Sequence, residues 1–403
     1  MKVFHPDETF DGQLLRVLTY TYEGCSDYGE CISTAHRVKP HDTNSWYSEW
    51  HDLAERIETR AETALAKDHK ATAHEAYLRA SMYHRISGQF FIGSPGDSRL
   101  LDAFTKSVTC FEESMKLSTT VRCEVIKIPY KDGKYFPGYF LTPIGGHNKS
   151  GPTVIINGGY DSTKEECYGF SGAAALRRGY NVLLFDGPGQ GLTLVEQGVI
   201  TIPDWENVIT PIVDYLYTRN DVDKSKIAAM GISLGGYQIP RAVTKEKRIT
   251  AIICDPAQID LGKKARARLP LPTSWSTSFP KKTPWWVVSI LSTVLSKRLS
   301  DPSGGWTLRR ILHVHGLKDI NSMFPELDKF HYDPKDVTCP AFISFAEKDL
   351  LAQECEEFEK HIGSTEKKLV RYTEEEGAEE HCEAGGRALF NADAFDWLEE
   401  LWA

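Results

Sequence analysis

The chain has 403 residues, long for one hydrophobic core and short for three, with 41% apolar and 26% charged residues, as in ordinary globular enzymes. Its formal net charge of −9 argues against nucleic acid or an anionic membrane as partner. Nine cysteines with no C-x-x-C pair argue against a disulfide framework and for reduced thiols in the cytoplasm.

The opening Met1-Lys-Val-Phe-His-Pro-Asp-Glu8 has no apolar signal-peptide core. The longest lipid-like run, Trp285 to Leu295, is about half the ~20 residues that span a bilayer, so no membrane span is expected.

Residues 1–120 read as helices. Trp46, Trp50, Leu53, Ile57, Ala61 and Ala64 form one apolar stripe at helical spacing. Ala73, Ala76, Tyr77, Ala80 and Tyr83 form a second, and Phe104, Val108, Phe111 and Met115 a third. From Val121 the texture changes. Val121 to Pro129 and Tyr135 to Leu141 read as a hairpin about the turn Lys131-Asp-Gly-Lys134. Thr153 to Asn157 is a continuous apolar run of the kind buried on both faces.

A helix near Glu165 to Arg178, a strand Asn181 to Phe185 and a helix near Asp204 to Arg219 follow. Next come the strand Ile227 to Met230, a helix through Val243 and the strand Thr250 to Cys254. Strands alternating with helices predict an α/β fold with a mostly parallel sheet. The alternation lapses from Asp260 to Asp336, a stretch rich in proline and tryptophan that reads as an inserted lid. It resumes with a strand Ala341 to Phe345, a helix Gln353 to Ile362, a strand Lys368 to Tyr372 and a helix Gly386 to Leu401. The predicted organisation is a helical cap (1–120), a core (121–259 and 337–403) and a lid (260–336).

The chemistry centres on Gly231-Ile-Ser-Leu-Gly235, which lies between a strand and a helix. This is the sequence form of a nucleophile elbow, in which small flanking residues let the backbones pass closely. A serine hydroxyl needs a base, and the base needs a carboxylate to orient it. In the chain order Ser, acid, His, the candidates are Ser233, Asp349 just past the strand 341–345, and His381 past the next strand. Asp255 and Glu347 are rival acids, and His361 a poor base candidate inside a helix.

The loop Asn157-Gly-Gly-Tyr-Asp161 occupies the place of a glycine-rich oxyanion loop. Gly159 or Tyr160 is expected to donate one N–H to an oxyanion, and Leu234 the other. Asp161, Trp285 and Trp286 are expected to contact substrate. His313-Val-His315 has ligand-like spacing but no acidic or cysteine neighbours, so no metal and no cofactor is expected. Asp186-Gly-Pro-Gly-Gln-Gly191 lacks a P-loop lysine and reads as a structural turn.

Taken together, Asn157 to Glu165, Phe185 to Gly191 and Gly231 to Gly236 resemble one branch of the α/β-hydrolases. That branch includes 2,6-dihydroxypseudooxynicotine hydrolase and the fungal yellowish-green pigment hydrolases that shorten polyketides. The helical segment also resembles the branch, so the likeness covers nearly the whole chain. The resemblance implies an α/β-hydrolase fold, cleavage of a carbon–carbon bond beside a carbonyl, and Ser233, Asp349 and His381 as the triad. The extra acidic residue of the pseudooxynicotine enzyme has no glutamate counterpart in Asp255 to Lys264, where Asp260 is the candidate.

The reading is a serine hydrolase of a polyketide-like or β-diketone substrate. One alternative is an acyltransferase or macrolactone-forming cyclase; a second is a non-catalytic partner protein. The expected partner is a small-molecule acyl or polyketide substrate, free or carrier-protein-bound, with a homodimer as the assembly considered.

Overall fold

A computed structural model describes residues 5–146 and 150–403. The stretch Met1 to Phe4, on which part of the signal-peptide reading falls, lies outside the described residues. Eight strands form one sheet: β1 (Val121–Pro129), β2 (Tyr135–Pro143), β3 (Gly151–Asn157), β4 (Asn181–Phe185), β5 (Val222–Ile232), β6 (Ala251–Asp255), β7 (Ala341–Ala346) and β8 (Lys367–Tyr372). Their spatial order is β1-β2-β4-β3-β5-β6-β7-β8. The β1–β2 and β2–β4 pairs are antiparallel, and the remaining pairs from β4 to β8 are parallel.

The longer helices are α1 (Glu8–Thr19), α2 (Tyr28–Ala35), α3 (Thr43–Ala66), α4 (Lys70–Ser87), α5 (Ser98–Leu117), α6 (Glu206–Tyr217), α7 (Gly235–Val243), α8 (Leu261–Ala267), α9 (Trp285–Leu299), α10 (Trp306–Val314), α11 (Cys355–His361) and α12 (Arg387–Trp402).

The central strands are apolar along their length because both sheet faces are covered. Ile155, Leu183, Ala229, Ile252 and Ile343 face a core closed by α6, α7 and lid residues such as Phe279 and Phe324. Their neighbours Val154, Val182, Met230, Ile253 and Phe342 face a second core shared with α5 and α12. The period-2 pleat thus assigns alternate residues of one apolar run to two different cores.

A third core joins α1, α3 and α4, and Trp306 of the lid inserts into it. Its ring lies 5.3 Å from that of Phe90, and its indole N–H donates to the Gln89 carbonyl at 3.0 Å. The segment 260–336 is therefore anchored in the sheet core through Phe279 and Phe324 and in the N-terminal helices through Trp306.

One predicted helix is interrupted. Between Glu165 and Arg178 the chain widens into a π-turn at Tyr168–Gly172, flanked by short α-helical pieces. The Phe170 carbonyl, which a regular helix would bond internally, accepts from Arg387 Nε at 3.2 Å and Asn391 Nδ2 at 2.9 Å. Glycines 169 and 172, poor helix formers, make the widening easier.

Trp46 is almost fully buried against Phe10 and Phe90, and its indole donates to Ile86 O at 2.9 Å. Trp46→Ala is expected to lower unfolding free energy by about 3–5 kcal/mol, read as a lower urea midpoint.

Candidate active site

At the end of β5 the chain turns sharply into α7, and Ser233 adopts φ 58°, a left-handed conformation unusual for a side chain with a Cβ. The flanking glycines allow it. A Cβ on Gly231 would collide with the Gly235 carbonyl, and one on Gly236 with the Pro256 carbonyl. The turn is held from both sides: Ser233 N–H donates to Asp255 O at 2.6 Å, and Gln258 Nε2 donates to Ser233 O at 2.5 Å.

His381, in the loop after β8, places Nε2 2.8 Å from Ser233 Oγ. Its Nδ1 lies 2.8 Å from Asp349 Oδ2. Asp349, in the loop after β7, also accepts the Leu351 N–H at 2.7 Å through Oδ1. Burial alone would lift the Asp349 carboxyl, but His381 and these hydrogen bonds hold it below its ordinary value. Desolvation by the surrounding groups would lower the His381 imidazole, although one side of it stays open; Asp349 outweighs that and raises it above its ordinary value.

The rival residues lie elsewhere. Asp255 meets Arg387 and Ser344 Oγ behind the turn. Glu347 accepts the Glu374 N–H at 3.1 Å, and exposed His361 bonds back within its own helix. Asp260 caps α8 by accepting the Lys263 N–H at 2.8 Å.

The Gly158-Gly159 loop passes against Ser233, so close that a Cβ on Gly159 would sit 2.7 Å from the Ser233 Cβ. The Gly159 N–H is committed to Ser162 Oγ at 3.0 Å. The N–H groups of Tyr160 and Leu234 make no hydrogen bond among the described residues. The Asp186–Gly191 turn buttresses this loop: Gln190 Nε2 donates to Gly158 O at 2.8 Å and Gly159 O at 3.1 Å.

A cavity of about 390 Å³ opens over Ser233 and His381, walled by Arg16, Phe170, Trp306, Arg310 and Leu351 among others. Asp161 also lines it, with its carboxylate already engaged by Arg16 at 2.9 Å, Arg310 at 2.8 Å and Gln89 at 2.5 Å. Burial alone would raise this carboxyl, but the Arg16 and Arg310 guanidiniums hold it far below its ordinary value.

Trp285 and Trp286, expected at the substrate, do not reach the cavity. Val287 and Leu291 turn inward from α9, which leaves Trp285 80% and Trp286 51% exposed. Trp306, on the next helix, lines the cavity instead.

Sequence reasoning also missed Arg16, Arg310, Gln258 and Lys264. Lys264 Nζ donates to Gln258 Oε1 at 3.0 Å and to Leu351 O at 2.6 Å, bracing the Ser233 and Asp349 turns together. Burial pushes its pKa down to about 8, with Glu354 and Asp349 opposing. The four-residue spacing of Trp306 and Arg310 was the one available signal, since it puts both on one helix face.

His313 and His315 do not share a ligand position. His315 bonds the Tyr160 hydroxyl at 2.9 Å, whereas His313 Nδ1 meets Ile92 O. Metal-capable groups occur in the helices instead: His51, Glu55 and His84, and Glu58, His84 and Cys110 bring ligand atoms within 4.8 Å of one another. There His84 is bonded to Glu58 at 2.8 Å and Lys106 pairs with Glu55, tying α3, α4 and α5 together.

A mostly parallel sheet with a strand–serine turn–helix unit, and an acid and a histidine after its last two strands, defines the α/β-hydrolase class. The chain belongs to the α/β-hydrolase family, which its residues 153–379 match; residues 36–264 also match the esterase FrsA-like family. It is 33% identical to 20-hydroxy-prefusarin hydrolase FUS2 of Gibberella moniliformis, covering 100% of this chain and 98% of that protein. It is 31% identical to hydrolase acrC of Aspergillus aculeatus, covering 98% and 97%. In fold it is similar to 2,6-dihydroxy-pseudo-oxynicotine hydrolase, with a TM-score of 0.73 at 20% identity over 94% of each chain.

Removing the Asp161 carboxylate would leave Arg16 and Arg310 without a shared partner. Asp161→Ala is expected to lower unfolding free energy by about 3–5 kcal/mol in urea titration. In the wild type that stabilisation is present above the ordinary carboxylate pKa of about 4 and fades as pH falls toward the depressed value.

Proposed function

We propose that this α/β-hydrolase is a serine hydrolase that cleaves a polyketide-like or β-diketone substrate through an acyl-enzyme. One observation carries the proposal: the hydrogen-bonded series Ser233 Oγ, His381 Nε2, His381 Nδ1, Asp349 Oδ2 on the floor of a cavity.

His381 takes the Ser233 proton as Oγ attacks the substrate carbonyl, and Asp349 holds the imidazole and stabilises its cation. The oxyanion takes the N–H groups of Tyr160 and Leu234, which are otherwise without acceptors. Collapse breaks the bond to the α-carbon, whose electron pair is delocalised onto the second carbonyl as an enolate. His381 returns the proton to that leaving group. Water, deprotonated by His381, then attacks the acyl carbon; as the bond to Ser233 Oγ breaks, His381 returns that proton to Oγ and the acid product leaves.

Arg310 lines the cavity with its guanidinium paired to Asp161 at 2.8 Å, which puts a cation beside the substrate. Water is the favoured acceptor, because the His381 side chain is 43% exposed and solvent reaches the base. A relative named as a hydrolase of 20-hydroxy-prefusarin supports hydrolysis and a polyketide-related substrate class.

Ser233→Ala is expected to abolish mass labelling by a fluorophosphonate and to reduce hydrolysis of p-nitrophenyl acetate by about four orders of magnitude or more. Retained activity would overturn the proposal. Since His381 must be neutral to act as base, kcat/KM should fall as pH drops through a pKa above 6.5. Asp349→Asn should lower kcat and move that limb downward; a pH–rate profile for each protein reads both effects.

A further inference from the structure

The lid reverses the charge of the molecule it covers. From Leu261 to Ser300 the chain carries eight Lys or Arg and no Asp or Glu, within a protein of net charge −9. Part of that charge is neutralised by the core: Lys263 pairs with Glu357, Lys264 approaches Glu354, and Arg266 pairs with Asp328. Lys281, Lys282 and Lys297 are exposed and make no ion pair among the described residues. They bracket α9.

That helix presents to solvent the side chains that a folded core would ordinarily take. Trp285 is 80% exposed, Trp286 51%, Ile290 58% and Val294 57%, with Ser289 and Thr293 between them. Its opposite side is anchored by Val287 and Leu291. An outward face of tryptophan and aliphatic residues, flanked by lysines and free of acids, combines the features of a helix lying in a membrane interface. At 15 residues α9 is about 22 Å long, short of the ~30 Å hydrocarbon thickness, and no described helix is long and apolar enough to cross a membrane.

We propose that the exposed face of α9 docks on an anionic phospholipid surface, with Trp285, Trp286, Ile290 and Val294 entering the interface and Lys281, Lys282 and Lys297 meeting the headgroups. Charge selects this occupant over a second copy of the chain. Pairing two such faces about a two-fold axis would bring their unpaired lysines together with no acid on either helix, whereas an anionic bilayer neutralises them. The net charge, which argued against such a partner, averages over a surface whose acids lie outside this segment.

The lid also borders the cavity. Arg268, of the same basic segment, and Leu350, 66% exposed, both line it, and α10 carries Trp306 and Arg310 into its wall. Docking would set the cavity rim near lipid-dissolved apolar molecules. The docking itself does not depend on the Ser233 reading.

The test is co-sedimentation of the full chain with large unilamellar vesicles of phosphatidylcholine, with and without phosphatidylserine. The expected result is partitioning at least about tenfold stronger onto the phosphatidylserine vesicles, given roughly fivefold per lysine at the surface, and weakening as salt rises. The Trp285→Ser/Trp286→Ser protein should lose about tenfold or more. Lys281→Glu/Lys282→Glu should lose the preference for phosphatidylserine; far-UV circular dichroism checks that both variants are folded. Ser233→Ala should bind vesicles like the wild type, which separates this proposal from the catalytic one. Equal or absent sedimentation with both vesicle types would overturn it, as would wild-type binding by the tryptophan variant. So would a dimer in sedimentation velocity that only the tryptophan substitutions dissociate.

Discussion

Holding Ser233 in the left-handed region costs about 1–3 kcal/mol, and much of the local architecture is arranged around that strain. The Asp255 carbonyl receives its N–H and the Gln258 amide grips its C=O, so both peptide groups are fixed. Three glycines remove the Cβ atoms that would block the crossing of β5, α7 and their neighbours. Gln258 is in turn held by Lys264, whose ammonium also holds the Leu351 carbonyl beside Asp349. The geometry of the serine is thereby tied to that of the acid 116 residues further along by two side chains, Gln258 and Lys264, whose hydrogen bonds go to Ser233 and Leu351 rather than to His381.

A second constraint fixes the opposite wall. Asp161 follows Tyr160 in the loop that faces Ser233, and its carboxylate gathers Arg16 from α1, Arg310 from α10 and Gln89 from beyond α4. Arg16 and Arg85 share Glu166 as well, at 2.5 Å and 3.1 Å. The N-terminal helices, the lid and the glycine loop therefore meet at one buried charge cluster beside the cavity. Such a cluster adds little net stability over an apolar one, but any displacement that separates its members strands a charge. That supplies a physical reason for the N-terminal helices to be present: they carry Arg16, and with it the position of the Tyr160 backbone.

Much of this was legible in the chain, and the division has a physical basis. The strand–turn–helix about Ser233 is local, so its glycines and apolar run are contiguous in sequence. Asp349 is also readable because it follows the apolar run of β7, and His381 because it comes after the next strand in the chain order serine, acid, histidine. The β1–β2 hairpin and the alternation of strands and helices follow from period alone. Arg16, Gln258, Lys264 and Arg310 carried no such mark, since each acts through a long-range contact that no local pattern encodes. The lid misled for a different reason. Trp285 and Trp286 are the residues that burial statistics place inside, yet Val287 and Leu291 take the inward positions and leave the tryptophans in water. The π-turn at Tyr168–Gly172 was hidden because the carbonyl it frees is satisfied by α12, more than 200 residues away.

The cavity region shifts two histidines in opposite directions by environment. His315 is buried beside Tyr160 with no carboxylate at hand, and desolvation pushes its pKa down to about 4. It stays neutral and serves as a hydrogen-bond partner for the Tyr160 hydroxyl. His381 is drawn the other way by Asp349, which favours its protonated form. Were both imidazoles cationic, the Tyr160 loop would gain a positive charge next to Arg310, whose ring contacts with Trp306 and Tyr160 already place a guanidinium there. A neutral His315 keeps the loop in register without competing for Asp161. Of the two, His381 is the imidazole that faces both Ser233 and solvent.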